Sequence, residues 1–230
     1  MNSPGAVSLS IVPVSGGFFT GLASAIKKSF AASEQRRPEI AKARNLWVRG
    51  RRPFFNKSLA KLIFIDETST NTKLTKRSGW SLRGQRYRTH APFGSWSSQT
   101  FIAGLRSWGM VAPWIVDRPM NGHIFETWIE TQLAPTLTTG DVVILDNVAF
   151  HKSQRAEELV KATGAWLLFL PPYSPDLNPI EMAFSKIKTL LRKRAARSFH
   201  AISDALGEIV DLFSVTECRN YFKAAGYEAD

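Results

Sequence analysis

One cysteine in 230 residues, Cys218, excludes an intrachain disulfide framework and a cysteine zinc cluster. That suits a reducing compartment, and a cytoplasmic location is the expectation. The four histidines show no metal-ligand spacing. No apolar run is long enough to span a membrane. Residues 1–26 carry no charge and are fairly apolar, yet Pro13, Gly16, Gly17 and several serines interrupt them, and no basic stretch leads into them. Neither a signal peptide nor a membrane span is expected there, and nothing in the first twenty or so residues reads as a folded element. Acidic residues are also scarce: 19 Asp/Glu face 30 Lys/Arg, for a formal net charge of +11 and a pI near 10.0. Such an excess points to a polyanionic partner, nucleic acid first.

What is present is enough for a folded protein, since 44% of the residues are hydrophobic and 11% aromatic. The positive charge is unevenly spread. Residues 27–57 hold ten Lys/Arg against Glu34 and Glu39, while 73–88 and 186–197 each hold six Lys/Arg and no acid. The chain divides into an unassigned segment 1–26, a basic linker or helix 27–60, and a domain over 61–230. Within the second, a polar, basic helix is predicted from about Pro38, with Glu39 in its first turn and the Arg-Gly-Arg-Arg-Pro run at 49–53 ending it. It fits a helix laid across a phosphate backbone and a solvated linker equally well.

The domain begins with KLIFIDET, whose Leu62, Ile63, Phe64 and Ile65 are apolar on both faces, the pattern of a central strand. Asp66 is then expected at the strand's carboxyl end, and alternation turns Glu67 to the opposite face, away from any ion that Asp66 holds. Gly79, Gly84 and Gly94 punctuate the basic, aromatic stretch that follows. SQTFIAGLRSWGMVAPWIVD reads as a hairpin turning at Trp108-Gly109, which makes three consecutive antiparallel strands. HIFETWIETQLAPTL predicts a helix burying Ile124, Trp128 and Leu133, stopped at Pro135. DVVILDN is a second buried strand, SQRAEELVKATG a helix closed by Gly164, and AWLLFLP a third apolar run. Strand, helix, strand implies a parallel crossover, so Asp146 falls at the carboxyl edge of a mixed α/β sheet, where such folds place their sites.

Asp66, Asp146 and Glu181 therefore each stand at the edge of an apolar element, with 34 residues between the last two. In PPYSPDLNPIE, Asn178 suits a helix N-cap, Pro179 the first helical position and Glu181 the third, so a capping-box glutamate explains that spacing by itself. Taken singly, the other two acids also fit surface roles. The helix beyond Glu181 tips the balance: Ile180, Phe184, Ile187 and Leu191 form its buried stripe, and Lys188 and Arg192 continue the face of Glu181 as a basic stripe. Three hard carboxylates beside such a stripe suit Mg²⁺ or Mn²⁺, and a pair of ions about 4 Å apart can drive phosphodiester cleavage. Asp66 would bridge the pair.

FIDET, ILDN followed by His151 and Lys152, and above all LPPYSPDLNPIE resemble the three catalytic blocks of DDE transposases of the mariner superfamily, in its bacterial insertion-sequence branch. The resemblance extends from about Lys27 through FIAGL and PMNG to YFKAAGY. It implies an RNase H-like fold over 61–230 and a metal-binding triad of Asp66, Asp146 and Glu181 with two ions. It implies cut-and-paste transposition, acting on double-stranded DNA at an element's terminal inverted repeats and at target DNA, with a homodimer as the active assembly. Lys152, Lys188 and Arg192 are the expected DNA contacts. His151 and Lys152 fit either an approach to the scissile phosphate or a helix-capping or backbone role. Relatives carry helix-turn-helix domains ahead of the catalytic domain, and residues 1–26 resemble none, so end recognition is expected to be poor. Two other readings stay open: a stand-alone RNase H-like nuclease, and a non-catalytic remnant that binds DNA.

Overall fold

Leu62, Ile63, Phe64 and Ile65 have at most 1% of their surface in water, which a strand achieves only with neighbours on both edges and cover on both faces. The computed structural model, which describes residues 33–75, 81–88, 90 and 98–228, supplies both. The first strand, β1 (Leu62–Asn71), pairs antiparallel with β2 (Ser98–Arg106), which pairs antiparallel with β3 (Gly109–Val116). On its other edge β1 pairs parallel with β4 (Val142–Leu145), and β4 with β5 (Trp166–Phe169). The sheet order is β3-β2-β1-β4-β5. Arg106 already pairs with Gly109, so the hairpin turns at Ser107-Trp108, one residue earlier than the sequence predicts. Residues 1–26 and part of the glycine-punctuated stretch ahead of β2 lie outside the described residues.

The β2–β3 ladder contains a bulge. Ile102 faces Trp114 but Gly104 faces Val111, so β3 carries one extra residue, and Ala112 takes a φ of 50°. The carbonyl of Ala112 accepts the indole N–H of Trp128 at 2.9 Å. Gly104 sits beside this irregularity because a Cβ there would lie 2.9 Å from both Ile63 and Val111 side-chain carbons.

Among the helices, α1 (Pro38–Asn45) starts as expected but is not ended by the Arg-Gly-Arg-Arg-Pro run. A π-helical stretch, Leu46–Arg51, carries the chain into α2 (Arg52–Asn56), and Pro53 falls in the first turn of that helix, where a missing N–H costs nothing. Ile40 and Trp47 are buried, and the Trp47 indole donates to the Tyr227 hydroxyl at 2.8 Å, which donates in turn to the Leu177 carbonyl at 3.0 Å. A second π-helical stretch, Ile129–Leu133, extends α3 (Gly122–Trp128). Trp128 and Leu133 are buried as predicted, with Phe125 and Ile129 beside them, while Ile124 is only half-buried, and Pro135 lies inside a final 3₁₀ turn. α4 (Gln154–Ala162) is capped by Ser153, whose hydroxyl accepts from the N–H of Ala156.

α3 and α4 cover one face of the sheet, burying Ile63, Ile65, Val143 and Leu145. The other face, with Leu62, Phe64 and Ile144, lies under α5 (Ile180–Arg194), α6 (Phe199–Val210), α7 (Val215–Ala224) and Trp47. A buried ion pair fastens the end of the sheet away from Asp146. Arg106, the last residue of β2, meets Asp141, which precedes β4, at 2.7 Å, and reaches the Thr136 carbonyl at 3.0 Å. Lys61 stands 3.6 Å from the other oxygen of Asp141.

Candidate active site

β1 and β4 remain paired from Leu62–Val142 to Phe64–Ile144 and then part. β4 ends at Leu145, and Asp146 follows directly. β1 runs on to Asn71, held by β2 alone, so Asp66 lies in mid-strand rather than at the strand's end. The expectation fails because the hairpin extends β1 on the side that β4 has left. Asp66 still faces the opening, since it stands two residues beyond the last parallel pair. Its side chain is nearly buried, at 8% exposure.

Both oxygens of Asp66 are engaged. Oδ1 accepts the N–H of Glu67 at 2.8 Å, and Oδ2 accepts from Asn178 Nδ2 at 3.0 Å. Asn178 is thus not the side-chain cap of α5, and no side chain caps that helix; Pro179 takes the cap position. The capping-box reading of Glu181 falls with it. Glu181 is left in the first turn of α5 with its carboxylate outside the helix's own bonding.

His151 and Lys152 precede the cap of α4, which is Ser153, so neither caps a helix. His151 is completely buried and bridges two acids: Nδ1 lies 2.7 Å from Asp146 Oδ1, and Nε2 lies 3.1 Å from Glu67 Oε2. Alternation does turn Glu67 away from Asp66, but the turned residue meets the imidazole that holds Asp146. Lys152 is exposed and lines the site.

One pocket of about 500 Å³ receives all three predicted acids, Asp66, Asp146 and Glu181, together with Lys152, Asn178 and the loop from Leu170 to Pro175. Burial pushes the Asp66 carboxyl up to about 8, and the charges of Glu181, Glu67 and Asp146 add to that shift. Burial also raises Glu181; the Lys188 ammonium opposes it, and Asp146 and Glu67 reinforce it. Burial works against a charged His151, yet its bonds to Asp146 and Glu67 hold the imidazole at about 9. Four acids thus meet in and behind the pocket, against the His151 cation, Lys152 on the wall and Lys188 beside Glu181.

A hard divalent cation fits this surplus. The donors are carboxylate oxygens, and two buried amide oxygens, Oδ1 of Asn147 and of Asn178, have no hydrogen-bond partner among the described residues. No three His, Cys, Asp or Glu side chains of the described residues enclose an ion by themselves. An ion here would keep part of its water shell, as magnesium does. Lys188 and Arg192 lie half-buried on α5 beyond Glu181, and neither forms a salt bridge among the described residues. Their neighbours are engaged: Lys186 pairs with Glu217 and Arg194 with Glu208.

The sequence reading missed Glu67 and Asn178 as members of the site. Their partners lie 84 and 112 residues away along the chain, beyond the reach of any local pattern. It also missed Arg44, which grips Asp176 through both oxygens, at 2.9 and 2.6 Å, and so fastens α1 to the loop ahead of Glu181. Among the described residues, no helix is long and apolar enough to cross a membrane.

The DDE superfamily endonuclease family matches residues 61–203, which span Asp66, Asp146 and Glu181. No curated relative matches the sequence. Among solved structures, the fold is similar to the Mos1 strand transfer complex (TM-score 0.70, 15% identity, covering 90% of this chain and 63% of that one). It is similar to the Mos1 mariner paired-end complex with Mn (TM-score 0.70, 14% identity, 89% and 64%). The catalytic domain of Mos1 mariner transposase also matches (TM-score 0.57, 11% identity, 87% and 91%). The chain spans less than two thirds of the length of the Mos1 chains in the first two complexes. At these identities the likeness establishes the fold, an RNase H-like mixed sheet flanked by helices.

Proposed function

The chain belongs to the DDE superfamily endonucleases, and on that premise we propose that it is the catalytic domain of a DNA transposase, cleaving and joining DNA strands to move an element by cut-and-paste. The observation that carries this reading is the convergence of Asp66, Asp146 and Glu181, from separate parts of the chain, on one pocket where β1 and β4 part. The Mos1 complexes of the same fold include one with Mn and one of strand transfer, which supports a divalent metal and a DNA substrate for this chain too.

Asp66, Asp146 and Glu181 are the residues that would hold the metal, as a pair of Mg²⁺ or Mn²⁺ ions. Bound there, the ions would supply activation of the attacking oxygen and stabilisation of the leaving one. The chain's own residues prepare the site. Asn178 and the Glu67 N–H fix the plane of the Asp66 carboxylate, and His151 fixes that of Asp146. Lys152, at the pocket wall, and Lys188 and Arg192 along α5 give a phosphate backbone its counter-charges. DNA at an element's inverted repeats and at the target is the substrate class, and a homodimer the assembly that would hold two ends together.

Nicking of supercoiled plasmid in Mn²⁺ or Mg²⁺ is the direct test. Asp66→Asn, Asp146→Asn and Glu181→Gln are each expected to abolish it while the circular dichroism spectrum stays that of the wild type. Full nicking by any one variant removes that residue from the set.

A further inference from the structure

Tyr173 is the one residue of the loop between β5 and α5 that the fold holds against its own preference. Its φ is 55°, in the left-handed region where a Cβ crowds the backbone, and the residue is 49% exposed. Glycine or asparagine would occupy such a position with less strain. Everything around it is tied down. Gln35 donates to the Tyr173 carbonyl at 2.6 Å, Arg44 donates to Ser174 Oγ at 2.7 Å, and that hydroxyl donates to the Pro172 carbonyl at 3.1 Å. Prolines at 171, 172 and 175 restrict the backbone further. A restrained backbone therefore presents a half-exposed aromatic residue on the wall of the pocket that receives Asp66, Asp146 and Glu181. Backbone strain and wet apolar surface at the edge of a reactive site are the marks of a group kept for its ligand.

We propose that the Tyr173 ring is a stacking platform for a nucleobase of the strand whose phosphate enters the carboxylate pocket. This rests on the DNA reading given above and specifies which part of the substrate the loop holds. A flat π face accepts any base, so the contact places the nucleotide without selecting sequence. Lys152, on the same pocket wall, supplies charge for the backbone of that nucleotide. The clamps from Gln35 and Arg44 fix the backbone that carries the ring before DNA arrives, so the loop itself needs little ordering on binding.

The test uses the full chain and nicked duplexes carrying 5-iodouracil at successive positions around the nick, since that base photocrosslinks to aromatic rings on which it stacks. Irradiation is expected to yield a crosslinked peptide containing Tyr173. Tyr173→Phe and Tyr173→Trp should retain plasmid nicking, whereas Tyr173→Ala should lose about tenfold. Tyr173→Asn relieves the left-handed strain, so its melting temperature should equal or exceed that of the wild type while its nicking falls as far as that of Tyr173→Ala. Wild-type nicking by the asparagine and alanine variants, or crosslinks that map only elsewhere, would overturn the proposal. If the wild-type chain itself neither binds nor nicks DNA, the DNA reading has failed and the stacking role falls with it; the wild-type lane separates the two failures.

Discussion

An imidazole with a carboxylate at each end has its orientation chosen for it. His151 lies between Asp146 and Glu67 with no exposed surface, and the Phe125 ring stands 4.6 Å from its own. Glu67 therefore acts on Asp146 at one remove, by fixing the ring that fixes the carboxylate. Partners one step behind a metal ligand typically alter affinity by about 10- to 100-fold when removed. Glu67→Gln keeps the shape of the side chain but weakens its hold on the imidazolium. Calorimetric titration with Mn²⁺ should show a loss of that order with the secondary structure unchanged; wild-type affinity would mean that packing alone orients His151. At this scale the sequence singles out the three carboxylates that share the pocket, Asp66, Asp146 and Glu181, because each follows or opens an apolar run. It misleads at Asn178, whose position ahead of a helix signals a cap. The Asn178 amide nitrogen is turned to the buried Asp66 carboxylate, and its oxygen, the atom a cap would offer to the helix N–H groups, is left without a partner among the described residues.

The strands, and the helices as far as α5, were legible from local periodicity; α6 and α7, each opened by a capping serine, were not read. All five strands, the hairpin and the parallel crossover follow from apolar runs and turn residues. The sequence cannot show how far a strand extends once one neighbour departs, and so Asp66 is in mid-strand. Neither π-helical stretch has a local signature; one carries the buried Trp47 and the other follows directly on the buried Trp128. The Arg106–Asp141 pair was invisible because it joins two strand ends 35 residues apart. Burial would raise the Asp141 carboxyl, but the bonds from Arg106 and the Thr138 N–H and the guanidinium charge hold it below the usual range. A folded-state value depressed in this way contributes stability that is fully present above the unfolded carboxylate value, near 3.9. That contribution is lost as pH falls through the lower folded value. Asp141→Asn leaves a buried guanidinium without its counter-charge and should cost roughly 3 kcal/mol at neutral pH. In urea titrations it should also flatten the decline in stability below about pH 4. A variant as stable as the wild type at pH 7 would show that the pair contributes little.

Across the whole molecule the charge surplus is arranged rather than spread. Several cations of the basic segments are engaged internally: Arg44 with Asp176, Lys186 with Glu217, Arg194 with Glu208, and Arg197 with the carbonyls of Thr72 and Leu74. Lys188 and Arg192, on the helix that presents Glu181, form no salt bridge among the described residues that a phosphate would have to displace. Reversing both to glutamate should weaken duplex binding and reduce the slope of log affinity against log salt by about 0.9 for each phosphate left without its cation. An unchanged slope would place DNA on another face.

The Trp47–Tyr227 bond spans 180 residues, and that span is also an interval of time. A ribosome adding roughly 5–20 residues each second reaches Tyr227 about ten to forty seconds after it has made Trp47. Throughout that interval the indole has no hydroxyl to meet. Asp66 likewise waits for Glu181, which emerges only with α5. A nascent chain therefore carries Asp66 and Asp146 before the carboxylate of Glu181 can join them in one pocket.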